Sequence, residues 1–128
     1  MDIEHLVFGD SPVRVCPFSH AVKAGDFLFI TGQMPSLLNN PEKLVAGGII
    51  EQTHQVMKNL KSVLTNAGGS FSNVVFARVY LVNFQDFDKM NRVYERYFDS
   101  KKLPARTCIG VTGLAVGASV EIDLTAKI

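Results

Sequence analysis

The sequence predicts an α+β fold, in which two helices cover one face of a mixed β-sheet. Two segments, after Gly48 and after Asp86, repeat apolar residues every three to four positions, and shorter segments around them alternate as strands do. The 128 residues are 47% hydrophobic, which is enough for one core, and no linker, repeat or low-complexity segment divides them. We therefore expect a single domain spanning residues 1–128.

The first part of the chain contains the strand signals. Residues 3–8 are typical of an edge strand, and residues 19–23 and 27–31 predict a hairpin closed by Gly25 and Asp26. The next segment, residues 32–48, is rich in proline, asparagine and glycine. Such a composition predicts an exposed loop.

The first helix is predicted to begin after Gly48 and to end at Gly68 and Gly69, because glycine adopts the left-handed conformation that ends helices. Its apolar stripe comprises Ile49, Thr53, Val56, Met57, Leu60, Val63, Leu64 and Ala67. Residues 74–82 follow as a β-branched and aromatic run with one charge, Arg78. This run is typical of a strand covered on both faces.

The second helix is predicted to begin at Asp86, a plausible N-cap, and the segment ends at Pro104. Its stripe comprises Phe87, Met90, Val93 or Tyr94, Tyr97 and Phe98. Two strands follow, over residues 106–113 and 119–128. The last strand alternates most clearly, with Val120, Ile122, Leu124 and Ala126 on one face and Glu121, Asp123, Thr125 and Lys127 on the other.

Two of these strands carry apolar side chains on both faces, at residues 27–30 and 74–82. Two helices cover only one face of a sheet, and an uncovered apolar face is unusual in a monomer. The simplest cover is a second copy of the chain. We therefore expect a homo-oligomer that is joined through its sheets.

Composition excludes several classes of protein. Thirteen Lys and Arg against twelve Asp and Glu give a net charge of +1, which does not favour a nucleic acid as the main partner. Cys16 and Cys108 form no CxxC motif and are expected to be free thiols, and the three histidines show no metal-ligand spacing. No nucleotide-binding motif, signal peptide or membrane span is recognisable. We expect a cytoplasmic protein without metal or cofactor.

Three side chains near the end of the chain could carry chemistry. Arg106 follows Pro104 at the start of a strand, where its guanidinium could grip a carboxylate or remain a solvated edge charge. Cys108 shares its face, and taken alone it is more often a small core residue than a nucleophile. Glu121 is exposed unless the oligomer covers it, and a covered carboxylate is suited to proton transfer. Asn91, considered alone, is an ordinary surface residue.

Six segments of the sequence form a recognisable set. They are residues 16–22 (CPFSHAV), 29–35 (FITGQMP), 52–60 (from Gln-Thr to Asn-Leu), Asn91 with Tyr94 and Phe98, 104–106 (PAR) and 120–122 (VEI). In their order and spacing, over nearly the whole chain, they resemble the RidA (YjgF) family of imine and enamine deaminases. Pro-Ala-Arg and Val-Glu-Ile are the most specific of the six.

The resemblance implies a chorismate-mutase-like (YjgF-like) fold and a homotrimer whose sheets form a central barrel. It also implies sites in three clefts between subunits. There, 2-imino and 2-enamino acids such as 2-aminoacrylate and 2-iminopropanoate would be hydrolysed to 2-oxo acids and ammonia without cofactor or metal.

The resemblance also implies roles for individual residues. Arg106 would clamp the substrate carboxylate and Glu121 would activate water. The backbone at Cys108 would bind the substrate nitrogen. The pocket would further be lined by Thr31 and Asn91, with Gly32 where backbone must approach a ligand closely.

Phe18 stands where typical active members carry tyrosine, so the ring is kept and the hydroxyl is lost. One lost hydrogen bond is worth roughly 0.5 to 1.5 kcal/mol. This change leaves two alternatives open beside the general deaminase. One is a pathway-specific enzyme such as a 2-aminomuconate deaminase, and the other is a non-catalytic trimer that binds a carboxylate metabolite as a regulator.

Overall fold

The computed structural model describes residues 2–14 and 16–128. Among them are eight strands and two α-helices. The strands are β1 (Ile3–Leu6), β2 (Ala21–Ala24), β3 (Phe27–Gln33), β4 (Ser36–Leu37), β5 (Asn40–Leu44), β6 (Val74–Leu81), β7 (Ala105–Gly110) and β8 (Val120–Lys127), and the helices are α1 (Ile49–Asn66) and α2 (Phe87–Tyr94).

Six of the strands form one mixed sheet in the order β1-β2-β3-β8-β6-β7. Only β6 and β7 pair in parallel, and the crossover between them contains α2. The other neighbours in this sheet are antiparallel, while β4 and β5 form a separate hairpin. Helix α1 packs on β3 and β8 and against α2. The predicted α+β fold is confirmed.

The core lies between the helices and this face of the sheet, as the periodicity predicts. On β8, Val120, Ile122, Leu124 and Ala126 are buried. They face the α1 residues Val56, Met57, Leu60, Val63 and Leu64, which are also fully buried. Beyond the end of α1, Gly68 takes a φ of +89°, which L-residues with a Cβ rarely adopt.

One expectation is wrong. Residues 32–48 are not simply an exposed loop, because Gly32 and Gln33 still belong to β3 and the short hairpin β4–β5 follows. A two-residue strand and a strand containing proline give little sequence signal. Asp86 does occupy the predicted N-cap position of α2, which begins at Phe87, but its side chain makes no capping hydrogen bond. A 3₁₀ turn over residues 84–86 precedes the helix, and the Asn83 side chain caps it by accepting a bond from the Gln85 N–H.

The second face of the sheet is not covered by any element of the described chain. On β3, Phe27 and Phe29 alternate with the buried Leu28 and Ile30 and are 43% and 49% exposed. On β7, Ile109 is 45% exposed on the same face. The apolar side chains expected on both faces are therefore present, and the oligomer that would cover them stays a prediction.

Candidate functional site

A cavity of about 300 Å³ opens beside the junction of β3 and β8. Its lining includes Phe18, Thr31, Gly32 and Glu121. The other lining residues among those described are Pro12, Val13, Cys16, His20, Gln33, Met34, Ser36, Pro41, Asn59, Ala115 and Val116. Four of the seven residues predicted for the site therefore share one pocket.

An irregularity in β3 gives Glu121 access to this pocket. The pairing of β3 with β8 shifts register between Ile30 and Gln33, so Thr31 and Gly32 lie in a bulge. A side chain at Gly32 would overlap Oε2 of Glu121. The absence of a Cβ at Gly32 thus leaves the space that the carboxylate occupies.

Glu121 is half-buried, and none of the described residues forms a side-chain hydrogen bond or ion pair with it. Burial raises the pKa of its carboxyl above the ordinary value of 4.5, and the charge of Asp123 raises it further. Asp123 itself is bound by the Arg78 Nε at 2.9 Å and by the Tyr80 hydroxyl at 3.1 Å. The free carboxylate is therefore suited to exchange a proton.

Hydrogen bonds fix the polar walls of the pocket. Nδ1 of His20 accepts from the Phe8 N–H at 3.0 Å, which makes Nε2 the donor to the Pro12 carbonyl. The Thr31 hydroxyl donates to the Ser19 carbonyl at 2.6 Å. Each of these side chains donates its proton to a backbone carbonyl and so holds a neighbouring loop in place.

Asn59 of α1 fixes the opposite wall. Its Nδ2 donates to the carbonyls of Met34 at 3.0 Å and Ser36 at 2.9 Å, and its Oδ1 accepts from Gln55 at 3.0 Å. Asn59 is only 2% exposed. A buried amide with this set of partners holds the loop between β3 and β4 in one position.

Arg106 lies outside this pocket, on the edge strand β7 beneath α2. Its guanidinium carbon is 4.9 Å from the ring centre of Tyr94 and 5.7 Å from that of Phe87. Its Nη1 lies 4.0 Å from the Met90 sulfur. No carboxylate of the described chain forms an ion pair with it. Its donors therefore remain available for an anionic partner.

Two polar groups on α2 are buried without hydrogen-bond partners among the described residues. They are Oδ1 of Asn91 and the hydroxyl of Tyr94. Burial raises the pKa of Tyr94 to about 12, against a smaller opposing effect of Arg106. Asn91 is thus half-buried, and its interpretation as an ordinary surface residue is wrong. Buried polar atoms of this kind call for a partner.

The Cys108 thiol is partly buried on β7, two residues after Arg106 on the same face. Burial raises its pKa, and Arg106 opposes this only in part. A thiol with a raised pKa carries little of the reactive thiolate at neutral pH. The side chain is therefore not an activated nucleophile.

Within one chain, Arg106 and Glu121 lie on opposite faces of the sheet. Arg106 pairs with Ala77, which faces the helices, whereas Glu121 pairs with Tyr80 on the uncovered face. The predicted site residues thus form two groups. Phe18, Thr31, Gly32 and Glu121 line the pocket, and Arg106, Cys108 and Asn91 lie around β7 and α2.

Several pocket residues were not singled out from the sequence. Asn59 and His20 lie in the matching segments, but nothing in those segments reveals which loops they bind. Val116 has φ +54° and ψ +20°, a left-handed conformation that is rare for a β-branched residue. The neighbouring Gly113 and Gly117 mark a loop there but do not indicate a strained valine.

Across residues 2–14 and 16–128, His, Cys, Asp and Glu side chains do not come together in any group that could hold a metal ion. In the same part of the chain, both α-helices are too short or too polar to cross a membrane.

Comparison with known proteins gives a consistent result. Residues 8–128 match the family model described as endoribonuclease L-PSP. A RutC family protein of Pyrococcus horikoshii is 43% identical over 125 residues, which cover 97% of this chain and 98% of that protein.

Two solved structures show the same fold. A putative endoribonuclease from Thermotoga maritima is 35% identical with a TM-score of 0.88, and the match covers 98% of both chains. RidA from the Antarctic bacterium Psychrobacter sp. PAMC 21119 is 32% identical with a TM-score of 0.88. That match covers 98% of this chain and 99% of the other.

Proposed function

Because the chain belongs to the endoribonuclease L-PSP family, which is the RidA (YjgF) family, we propose that it is a deaminase of 2-imino and 2-enamino acids. It would convert substrates such as 2-iminopropanoate, the tautomer of 2-aminoacrylate, to 2-oxo acids and ammonia. The observation that supports this most is the carboxylate of Glu121, which faces a pocket without a partner in the described chain and has a raised pKa. A carboxyl group of this kind can act both as a base and, once protonated, as an acid.

The reaction adds water to the C=N bond and then breaks the C–N bond. In the first stage, the water oxygen bonds to C2 while Glu121 takes a proton from water and passes it to the imine nitrogen, which gives a carbinolamine. In the second stage, Glu121 takes the proton of the new hydroxyl and passes it to the amine nitrogen. The C=O bond forms, ammonia leaves with the C–N electron pair, and the carboxylate is regenerated.

Substrate binding in this proposal requires a second copy of the chain. Arg106 has free donors that suit a carboxylate, but it lies on the opposite face of the sheet from Glu121. We place Arg106 of the partner subunit at the mouth of the pocket, in a homotrimer joined through the uncovered sheet faces. Phe27, Phe29 and Ile109 would be buried there.

Mixed oligomers test both the activity and the shared site. Arg106→Ala and Glu121→Ala are each expected to abolish acceleration of ammonia release from iminopropanoate, generated in place by an amino-acid oxidase. Co-refolding the two variants should restore roughly a quarter of the wild-type rate, since each mixed trimer regains one intact site. If wild-type protein does not accelerate ammonia release, the deaminase proposal is wrong. If wild type is active but the co-refolded variants regain no activity, the proposal of a site shared between subunits is wrong.

Phe18 supports a second candidate, a trimer that binds a 2-oxo acid without turning it over. Its ring lines the pocket and brings no hydroxyl, and its carbonyl is fixed by the Arg14 guanidinium at 2.8 Å. Calorimetry with pyruvate distinguishes the two. The binding protein is favoured if wild type binds pyruvate but does not turn over imines. In that case Glu121→Ala should bind pyruvate as wild type does, and Arg106→Ala should not bind it. Turnover that depends on Glu121 favours the enzyme.

The family description also names an endoribonuclease. The free charge in the pocket is the Glu121 carboxylate, and neither lysine nor arginine is among its described lining residues. A carboxylate repels the phosphates of RNA, whose binding depends on cationic side chains. The pocket therefore supports hydrolysis of a small imine better than cleavage of RNA.

A further inference from the structure

We infer that the pocket beside Glu121 selects 2-imino acids with a bulky apolar side chain, branched aliphatic or aromatic, over those with small or acidic side chains. The inference rests on the proposed function and defines its substrate class. It follows from the composition of the pocket wall, from the use already made of its polar atoms and from the conformation of Val116.

The wall next to Glu121 is mainly apolar. A substrate whose C2 reaches the carboxylate must carry its side chain within this cavity of about 300 Å³. The apolar contacts available to it are Pro12, Val13, Phe18, Met34, Pro41, Ala115 and Val116. Burying apolar surface contributes a favourable free energy of binding roughly in proportion to the area buried. A larger hydrocarbon side chain therefore binds better until the cavity is full.

Most polar side chains of the same wall are already engaged. Both ring nitrogens of His20, the Thr31 hydroxyl proton and both amide protons of Asn59 are bonded to backbone groups. The Ser36 hydroxyl donates to the Pro41 carbonyl at 3.1 Å. The side-chain donors left among the described lining residues are the second amide proton of Gln33, whose Nε2 binds the Thr31 carbonyl at 3.2 Å, and the weak Cys16 thiol. A second substrate carboxylate would therefore be desolvated without a cationic or strong donor to pair with it. It would also meet the negative charge of Glu121.

A cation outside the described lining, Arg14, is exposed and donates through Nη1 to the carbonyl of Phe18, a lining residue. To pair with a second carboxylate, Arg14 would have to give up this bond and turn into the pocket. The wall as it stands therefore disfavours an acidic substrate such as 2-aminomuconate.

Val116 contributes its side chain to the pocket from a strained backbone. Its φ of +54° is rarely adopted by a β-branched residue, and Gly117 follows at +73°. Strain of this kind persists where the surrounding structure enforces it, and it is common at binding sites. Glycine or asparagine would fit the backbone more easily, so the valine is better explained by apolar contact than by the turn itself.

A series of imines tests the inference. An amino-acid oxidase would generate the imines of alanine, leucine, phenylalanine and glutamate, and ammonia release above the uncatalysed rate would give kcat/KM for each. We expect leucine- and phenylalanine-derived imines to exceed the alanine-derived imine by at least about tenfold. The glutamate-derived imine should fall below the alanine-derived one by a similar factor.

Val116→Asn keeps a residue that tolerates the left-handed conformation, so the loop is expected to fold. It should lower the leucine-to-alanine ratio of kcat/KM by about fivefold or more, since it puts a polar group in the wall. Val7→Asn is the control, because Val7 is exposed and is not among the lining residues. That control should leave the ratio unchanged.

The outcomes separate the inference from the function on which it rests. Equal kcat/KM values across the series, or a leucine-to-alanine ratio that Val116→Asn does not change, overturn the apolar selection while leaving deamination intact. A preference for the glutamate-derived imine would also overturn the apolar selection. If Arg14→Ala abolished that preference, Arg14 would be identified as a second cation for the substrate. No acceleration with any imine overturns the proposed function itself.

Discussion

The carboxylate of Glu121 occupies the space that a side chain at Gly32 would fill. An added Cβ would overlap Oε2 and lie 3.0 Å from Cδ and 3.2 Å from Cγ. The bulge in β3 and the missing side chain at Gly32 together leave room for the Glu121 carboxylate in the lining of the pocket. The position of this carboxylate therefore depends on the absence of a side chain at Gly32.

Gly32→Ala is expected to reduce activity far more than stability. The atoms in the way belong to the end of a flexible side chain, so the fold can accommodate the methyl by moving the carboxylate. We expect about a 100-fold lower kcat for imine hydrolysis, because a misplacement of about 1 Å has an effect of this size. The free energy of unfolding should fall by about 1 to 2 kcal/mol. Steady-state kinetics and urea denaturation measure the two effects.

Gly9→Ala is the matched control, because a Cβ at Gly9 would meet no atom within 4 Å. It should leave kcat unchanged and alter stability by less than about 0.5 kcal/mol. A Gly32→Ala protein with wild-type kcat would show that the position of the carboxylate is not critical.

Glu121→Gln is expected to stabilise the protein at neutral pH while abolishing turnover. Burial and Asp123 raise the pKa of Glu121 in the folded state, so between the unfolded value of about 4.5 and the raised value the folded state binds more protons than the unfolded state. Wild-type stability therefore falls as pH rises through this window. The penalty is fully present above the raised pKa and absent below about 4.5, the ordinary value.

Urea denaturation across this range checks the sign. The extra stability of Glu121→Gln should be largest at neutral pH and should shrink as the solution is acidified. Glu4→Gln, at an exposed carboxyl on β1, should change stability by less than about 0.5 kcal/mol. A Glu121→Gln protein that is less stable than wild type at neutral pH would contradict the raised pKa.

The sequence was sufficient for the regular elements because their burial is periodic. The 3.6-residue stripe of α1 and the alternation of β8 each reflect one buried face, and both were located to within a few residues. The hairpin β4–β5 was missed because its strands are short and Pro41 lies in one of them. The start of α2 was located correctly, directly after Asp86, but the 3₁₀ turn before it, which Asn83 caps, was not predicted.

The sequence named candidate site residues, four of which share the pocket, but it did not show that the candidates divide between two faces of the sheet. Alternation places Arg106 and Cys108 on one face of β7 and Glu121 on one face of β8. Only the strand order, with β6 between them, shows that these faces are opposite. The left-handed Val116 could not be predicted either, because its conformation depends on how the loop closes over the pocket.

Asp123→Asn is expected to shift the acid limb of the pH-rate profile to lower pH. The charge of Asp123 is the second cause, after burial, of the raised pKa of Glu121. Hydrolysis requires the ionised form of Glu121 as base, so removing the neighbouring charge should keep that form at more acidic pH. The dependence of kcat/KM on pH for iminopropanoate measures the shift.

Tyr80→Phe separates charge from hydrogen bonding, because it removes the 3.1 Å bond to Asp123 and leaves the carboxylate charged. Its acid limb should not move toward lower pH. Equal profiles for wild type and Asp123→Asn would mean that burial alone sets the pKa of Glu121.

Asn59→Asp is expected to cause the largest loss of stability in this set. The amide donates to two backbone carbonyls from a buried position, and a carboxylate of the same shape would direct oxygen at both of them. Two lost bonds and a buried unpaired charge should lower the free energy of unfolding by about 3 kcal/mol or more. Asn66→Asp is the control, since Asn66 is exposed and the Ser11 hydroxyl that it binds can donate to a carboxylate. The control should change the free energy of unfolding by no more than about 1 kcal/mol. Equal losses for the two variants in urea denaturation would show that Asn59 does not hold the loop between β3 and β4.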